Sequence, residues 1–154
     1  MTNNYRTNNY RTNMPSISTD IIIEYRNQEK EGIVLIARKN PPYGLALPGG
    51  HAEKGISLED NAKKEAREET NLEVIIDDEE RPLCVLSDPD RDPRTHMVTV
   101  VYVAKGYGLL KACSDAKEVG LYATLELMDL LGKNSFAFDH EKIIKYYLKS
   151  KGFE

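Results

Sequence analysis

An α/β fold, with helices laid on a β-sheet, follows from two features of this 154-residue sequence. Short β-branched runs recur between polar turns, and helical stretches interrupt and then close the series. Strands and helices interleaved in this way bury their apolar sides by packing in layers. At this length the chain is one domain, large enough to bury a core.

The elements are justified in chain order. Residues 1–16 stand apart as a low-complexity tail. Thr2-Asn3-Asn4-Tyr5-Arg6 recurs as Thr7-Asn8-Asn9-Tyr10-Arg11 before Thr12-Asn13, and Asn-rich text of this kind has too little apolar surface to fold. The folded domain is expected over 17–154. Residues 20–25 and 32–38 read as neighbouring strands, β-branched and bounded by polar turns. A helix follows, with Ser57 as N-cap, Asp60 three residues on, and Asn71 in the left-handed position at its end. Strands are predicted over 72–76 and 83–86, around the acidic turn 77–80. The run 96–104 is the clearest strand, nearly continuous in valine and suited to a buried place. A short strand near 118–123 precedes helices over 125–131 and 139–150. The last helix is expected to be capped by Asp139, to bury Ile143, Ile144, Tyr147 and Leu148, and to stop at Gly152.

Composition narrows the function classes. A formal net charge of −4 and a pI near 5.5 argue against a nucleic-acid surface, which needs clustered Lys and Arg. No apolar run reaches membrane-spanning length and the N-terminus lacks a secretory core, so no membrane partner is expected. Cys84 and Cys113 lack metal spacing and read as buried or partly buried thiols, which suits a reducing cytoplasm. His51, His96 and His140 are too scattered for a zinc site. His140 reads as a buried hydrogen-bonding group, and His51 as a turn residue meeting solvent or substrate.

The chemistry lies in Gly49-Gly50-His51-Ala52-Glu53-Lys54-Gly55 and the acidic stretch Lys64-Glu65-Ala66-Arg67-Glu68-Glu69. On a helix, Glu65, Glu68 and Glu69 fall within an arc of about 100°. Two readings follow. One is a solvated acidic face, the commonest fate of a charge run. The other is a site for a hard cation such as Mg²⁺, which takes several oxygen ligands and shares them with substrate phosphates. Ala62 and Ala66, small and close to the acidic arc, let the helix lie tightly on a sheet. Lys64 and Glu68 form an i,i+4 pair that orients a carboxylate.

This arrangement resembles the Nudix hydrolase signature, G-x5-E-x7-R-E-U-x-E-E-x-G-U with U a bulky apolar residue, from Gly50 to Leu72. Ile56 stands in place of its first Glu, Lys64 in place of Arg, and Asn71 in place of Gly. Asn tolerates the left-handed conformation, and Lys keeps the charge but loses the rigid fork. Ile56 removes an oxygen outright, for which Glu53 or Glu59 are the nearby substitutes. The resemblance extends to Arg38-Lys39-Asn40-Pro41-Pro42, to Leu45-Ala46-Leu47-Pro48-Gly49-Gly50, and to three later segments, 87–96, 114–118 and 137–141. All are similar to the ADP-ribose pyrophosphatase branch, and together they cover roughly 19–151.

The resemblance implies a Nudix α/β/α sandwich with a mixed β-sheet between helices. It also implies a Mg²⁺-dependent pyrophosphatase, with Mn²⁺ as a substitute, acting on a nucleoside diphosphate derivative, foremost ADP-ribose. Glu65, Glu68 and Glu69 are then the catalytic metal ligands, joined by the carbonyl of Gly50. Glu118 is the candidate for a further ligand or general base, lying four residues before Tyr122. Its plainer reading is an exposed residue at a strand start. Arg91 and Arg94 are candidate phosphate contacts, alternatively surface partners of Asp88, Asp90 and Asp92. Arg38 is a candidate for phosphate or ribose, alternatively a rim residue. Two other functions stay open: hydrolysis of another nucleotide such as a nucleoside triphosphate, or, through the loss at Ile56, binding of ADP-ribose-like ligands without catalysis. A sensor of that second kind normally needs an attached effector domain, for which no room is read after Glu154. Dimerisation, common among such proteins, is an expectation that no motif here locates.

Overall fold

The computed structural model describes residues 14–113 and 116–153. The Asn-rich repeats at 2–13 lie outside the described residues, as do Ser114 and Asp115 of the expected loop. Strands β1 (Ser16–Arg26), β2 (Glu31–Arg38), β3 (Leu45–Ala46) and β4 (Gly49–His51) lead into helix α1 (Leu58–Thr70). Next come β5 (Glu73–Ile76), β6 (Cys84–Leu86), β7 (Met97–Tyr107) and β8 (Ala116–Tyr122). Helices α2 (Thr124–Leu130) and α3 (His140–Ser150) complete the described elements. Ser16 already belongs to β1, so the tail gives way to the sheet slightly earlier than composition suggests.

The sheet is mixed, in the order β3-β2-β1-β7-β5, with β4 beside β1, β6 beside β7 and β8 beside β2. β1 pairs antiparallel with β2 and parallel with β7. That central position explains its run of three isoleucines. Alternation sends Ile21 and Ile23 to one side, where they meet Ala62 and Ala66 of α1, and Ile22 to the other, where it meets Leu127 of α2 and Ile143, Ile144 and Leu148 of α3. Burying each such side chain contributes about 1.5–3 kcal/mol. The layers are therefore α1 on one face and α2 with α3 on the other, the expected sandwich. Among the described residues no helix is long and apolar enough to cross a membrane.

Local chemistry sets the ends of α1 as the sequence predicts. Ser57 accepts from the Asp60 amide at 3.1 Å, and Asn71 closes the helix at φ 66°. The last helix departs from expectation at its start. Asp139 occupies the N-cap but its side chain makes no cap bond, because both carboxylate oxygens accept from Arg91 at 2.9 and 2.7 Å.

At the far end of β1 from the glycine turn, Glu24 gathers Lys105, Lys151 and the Tyr147 hydroxyl. Burial alone raises its pKa, but the bonds from Lys105 and Tyr147 and the two lysine charges outweigh it and hold the carboxyl below its ordinary 4.5. A carboxyl depressed by folding adds stability that is complete above 4.5 and is lost as pH falls through the folded value. Glu24→Gln should therefore lower stability at pH 7 by about 1 kcal/mol. Urea melts at falling pH should show that deficit shrinking below 4.5; a deficit independent of pH would contradict this account.

Candidate active site

The glycine turn and α1 are built around one close approach. β4 runs beside β1, with Gly49 opposite Asp20 and Gly50 opposite Thr19. A side chain on Gly49 would strike the Asp20 carboxylate and the Thr19 carbonyl, and one on Gly50 would lie 2.6 Å from the Glu65 carboxyl carbon. Only glycine lets backbone pass here. The turn is fastened to the helix by Asn61, fully buried, which donates to Thr19 Oγ1 at 2.9 Å and accepts from the Glu53 amide at 3.1 Å. The Gly49 amide donates to Glu69 Oε1 at 2.7 Å.

The result is a cleft of about 450 Å³, within the range of small-molecule sites. Glu65, Glu68 and Glu69 all line one wall, Glu69 buried and Glu68 exposed to solvent. Glu69 is buried, and its pKa is pushed up to about 8 by that burial, with the Glu65 and Asp20 charges adding to it against the Gly49 amide bond. Such a group takes a nearby cation readily. The donors are carboxylate and carbonyl oxygens, the chemistry of a hard divalent ion. Among the described residues no three acidic, His or Cys side chains converge as they stand. Lys64 lies beside two of them, its Nζ 3.2 Å from Glu68 and 3.6 Å from Glu65, and 3.4 Å from Glu53.

Neither nearby glutamate takes the place left by Ile56, which is itself exposed. Glu59 accepts from the Tyr102 hydroxyl at 3.1 Å, Glu53 pairs with Lys64, and neither lines the cleft.

The basic residues divide. Arg38, on β2, donates through Nε to the Pro42 carbonyl at 2.8 Å, lies over the Phe138 ring and lines the cleft. Burial, then the neighbouring Arg94 charge, lower its pKa. Arg94 also lies over Phe138 and faces the cleft, held by two bonds to the buried Asp92. Arg91 reaches the cleft wall too, but its side chain is 4% exposed. Its guanidinium is taken by Asp139 and, at 3.4 Å, by the Met97 carbonyl. Of the three neighbouring aspartates, Asp92 is buried and pairs with the half-exposed Arg94, and Asp88 accepts from the Asp90 amide.

Glu118 is not among the residues lining the cleft. It pairs with Ala37 in the register, which sets it on the opposite face of the sheet from Ile36 and Arg38, and it is exposed. His51 lines the cleft at its exposed edge, and His96 bonds the Ser87 carbonyl. His140 is buried, as expected. Its Nδ1 accepts from the Leu47 amide at 3.0 Å, which leaves the proton on Nε2, 3.6 Å from Asp20. Burial lowers its pKa and keeps it neutral. Cys84 is likewise inert, its thiol pushed up to about 11 by burial.

Two cleft residues escaped the sequence reading. Asp20, buried, takes the Thr99 hydroxyl at 2.6 Å and faces the glycine turn; a lone acid ahead of three isoleucines was its only signal. Phe138, at φ 52°, had none beyond its flanking motif.

An acidic helix behind a double-glycine turn, facing arginines across a cleft in an α/β/α sandwich, defines a phosphate-handling hydrolase scaffold. The chain belongs to the Nudix family: the NUDIX domain matches residues 14–147. It is 43% identical over 140 residues to the ADP-ribose pyrophosphatase of Methanocaldococcus jannaschii, covering 89% of this chain and 75% of that protein. A MutT/nudix family protein from Enterococcus faecalis superposes with a TM-score of 0.72 at 30% identity, over 97% of this chain and 69% of the other. The NUDIX domain of Shewanella oneidensis NrtR, solved with ADP ribose, superposes at 0.75 with 23% identity, over 98% and 99% of the two chains, and shares the fold. This chain is thus a Nudix hydrolase, of a family that generally uses divalent metal ions.

Gly50→Ala tests the close approach directly. The added methyl displaces the Glu65 carboxyl, and the affinity for a divalent ion, read by calorimetric titration, should fall about tenfold or more. Unaltered affinity would show that Glu65 does not need its place on the turn.

Proposed function

We propose that this chain hydrolyses ADP-ribose to AMP and ribose 5-phosphate, using Mg²⁺, for which Mn²⁺ can substitute. The observation that carries this reading is the 43% identity, across most of both chains, to an ADP-ribose pyrophosphatase. The geometry supports it, because one cleft presents carboxylates on one wall and two tethered arginines on another.

In this reading Glu65, Glu68 and Glu69, with the Gly50 carbonyl, hold the metal. When bound, it supplies charge neutralisation at the phosphates and a water of lowered pKa. Gly49 fixes Glu69 by its amide, so that this ligand is pre-positioned. Glu68 leaves Lys64 to face the cleft, and Lys64 keeps Glu53 as partner. Arg38 and Arg94 take the diphosphate oxygens through the guanidinium edges not used by Pro42 and Asp92. Water's oxygen joins one phosphorus as its proton is released to solvent, and the bridging oxygen leaves with the other phosphate. Arg91 is assigned to holding Asp139 and the start of α3, and Glu118 is left outside the step because of its sheet face.

Incubation with ADP-ribose and Mg²⁺ should yield AMP. Glu68→Gln and Glu69→Gln should each cut kcat about 100-fold or more, with the fold retained by circular dichroism. Binding without turnover in the native protein would instead indicate a binding domain, and no binding another nucleotide substrate.

Ile56→Glu gives a converse measurement. The side chain is exposed and off the cleft, so the rate should change by no more than about twofold, as for other surface replacements. A large rise would mean that the native site lacks an oxygen it needs.

A further inference from the structure

We propose that Phe138 is a positioning residue of the substrate site, whose ring holds the guanidiniums of both Arg38 and Arg94 for a diphosphate. The proposal rests on the reading above, which gave the two arginines a role and the ring none.

Arg38 Cζ lies 4.8 Å from the ring centroid and Arg94 Cζ 5.1 Å, both inside the roughly 6 Å reach of a cation–π contact. Two like charges in one cleft repel, and the negative face of an aromatic ring offsets that repulsion where an aliphatic side chain would not. Each guanidinium is also tied at one edge. Arg38 Nε donates to Pro42, and Arg94 Nε and Nη2 donate to Asp92 at 3.1 and 2.9 Å. A tether at one edge and a ring beneath fix each plane. The tethers use Nε of Arg38 and Nε and Nη2 of Arg94, on side chains that both line the cleft.

The ring reaches this place through an unfavourable backbone. Phe138 has φ 52°, a region that bulky residues rarely enter. The surrounding bonds impose it: the Ala137 amide donates to Leu45 at 2.8 Å and the His140 amide to Ala137 at 3.2 Å. Strain of this sort persists where the fold over-determines a conformation, and it concentrates at ligand sites.

The test compares wild type, Phe138→Leu, Phe138→Met and Phe138→Tyr in steady-state hydrolysis of ADP-ribose. It adds calorimetric binding of ADP in EDTA and thermal melting. Leu and Met keep apolar volume without a π face, whereas Tyr keeps the face. Leu and Met should raise KM about tenfold and weaken ADP binding about tenfold, with kcat within about twofold. Tyr should retain wild-type KM and ADP affinity. Unchanged KM and ADP affinity in Leu and Met, or equal losses in all three variants, would overturn the proposal. If the wild type fails to hydrolyse ADP-ribose, the functional reading falls by itself. The ADP titration then still decides the ring's part, since a loss in Leu and Met spared by Tyr sustains it and no loss removes it.

Discussion

The site depends on backbone passing where no side chain fits. Gly49 and Gly50 run between β1 and α1 so closely that a methyl group at either would meet a carboxylate or a carbonyl. That closeness lets an amide of the turn bond Glu69 and sets Glu65 against Gly50. It also explains the small residues of the helix. Ala62 and Ala66 are fully buried against the isoleucines and Val34 of the sheet, and larger side chains there would lift α1 away from the turn. The same tight packing thus makes both a core and a row of carboxylates on a fixed backbone.

Electrostatics then divides the cleft into unlike walls. The acidic wall is under-compensated: Glu69 is raised to about 8 by burial, helped by Glu65 and Asp20. The basic wall is held in place by acids that are not ligands, Asp92 for Arg94 and Asp139 for Arg91. Removing Arg94 would strand the buried Asp92, and removing Asp139 the buried Arg91, which makes each pair costly to break. They act here as braces that hold both arginines in the cleft wall.

How much was legible follows from how far each residue's meaning reaches along the chain. The three helix carboxylates Glu65, Glu68 and Glu69 were readable because their relation is local, set by helical spacing alone. The caps at Ser57 and Asn71 were readable for the same reason. The valine run at 96–104 pointed to a buried strand, and Met97, Val101, Tyr102 and Ala104 of β7 are buried. What failed to show was long-range. Arg91 looked free to meet phosphate because Asp139, its partner, is 48 residues away. Asp139 looked like a helix cap for the converse reason. Glu118 was a question of register: a one-residue shift decides which face of a sheet a side chain takes, and the irregularity at Ala37/Arg38 lies just there. Asp20 and Phe138 carry no local signature, since a lone acid in a strand and a lone aromatic after a turn mean nothing until their neighbours are known.

The departures at Ile56 and Lys64 bear on one another. Lys64 lies within 4 Å of three carboxylates at once, Glu53, Glu65 and Glu68, and its pKa is raised, first by the Glu68 bond. A compact ammonium can serve several acids in turn, where a planar guanidinium would fix itself to one. Glu53, not residue 56, is therefore the acid outside the helix that reaches this cation, and it does so from the glycine loop that Asn61 pins in place. Lys64 has a partner in Glu53 besides the two helix carboxylates. The chain thus spans the loop and helix with a lysine–glutamate contact, and it needs no carboxylate at position 56 to do so.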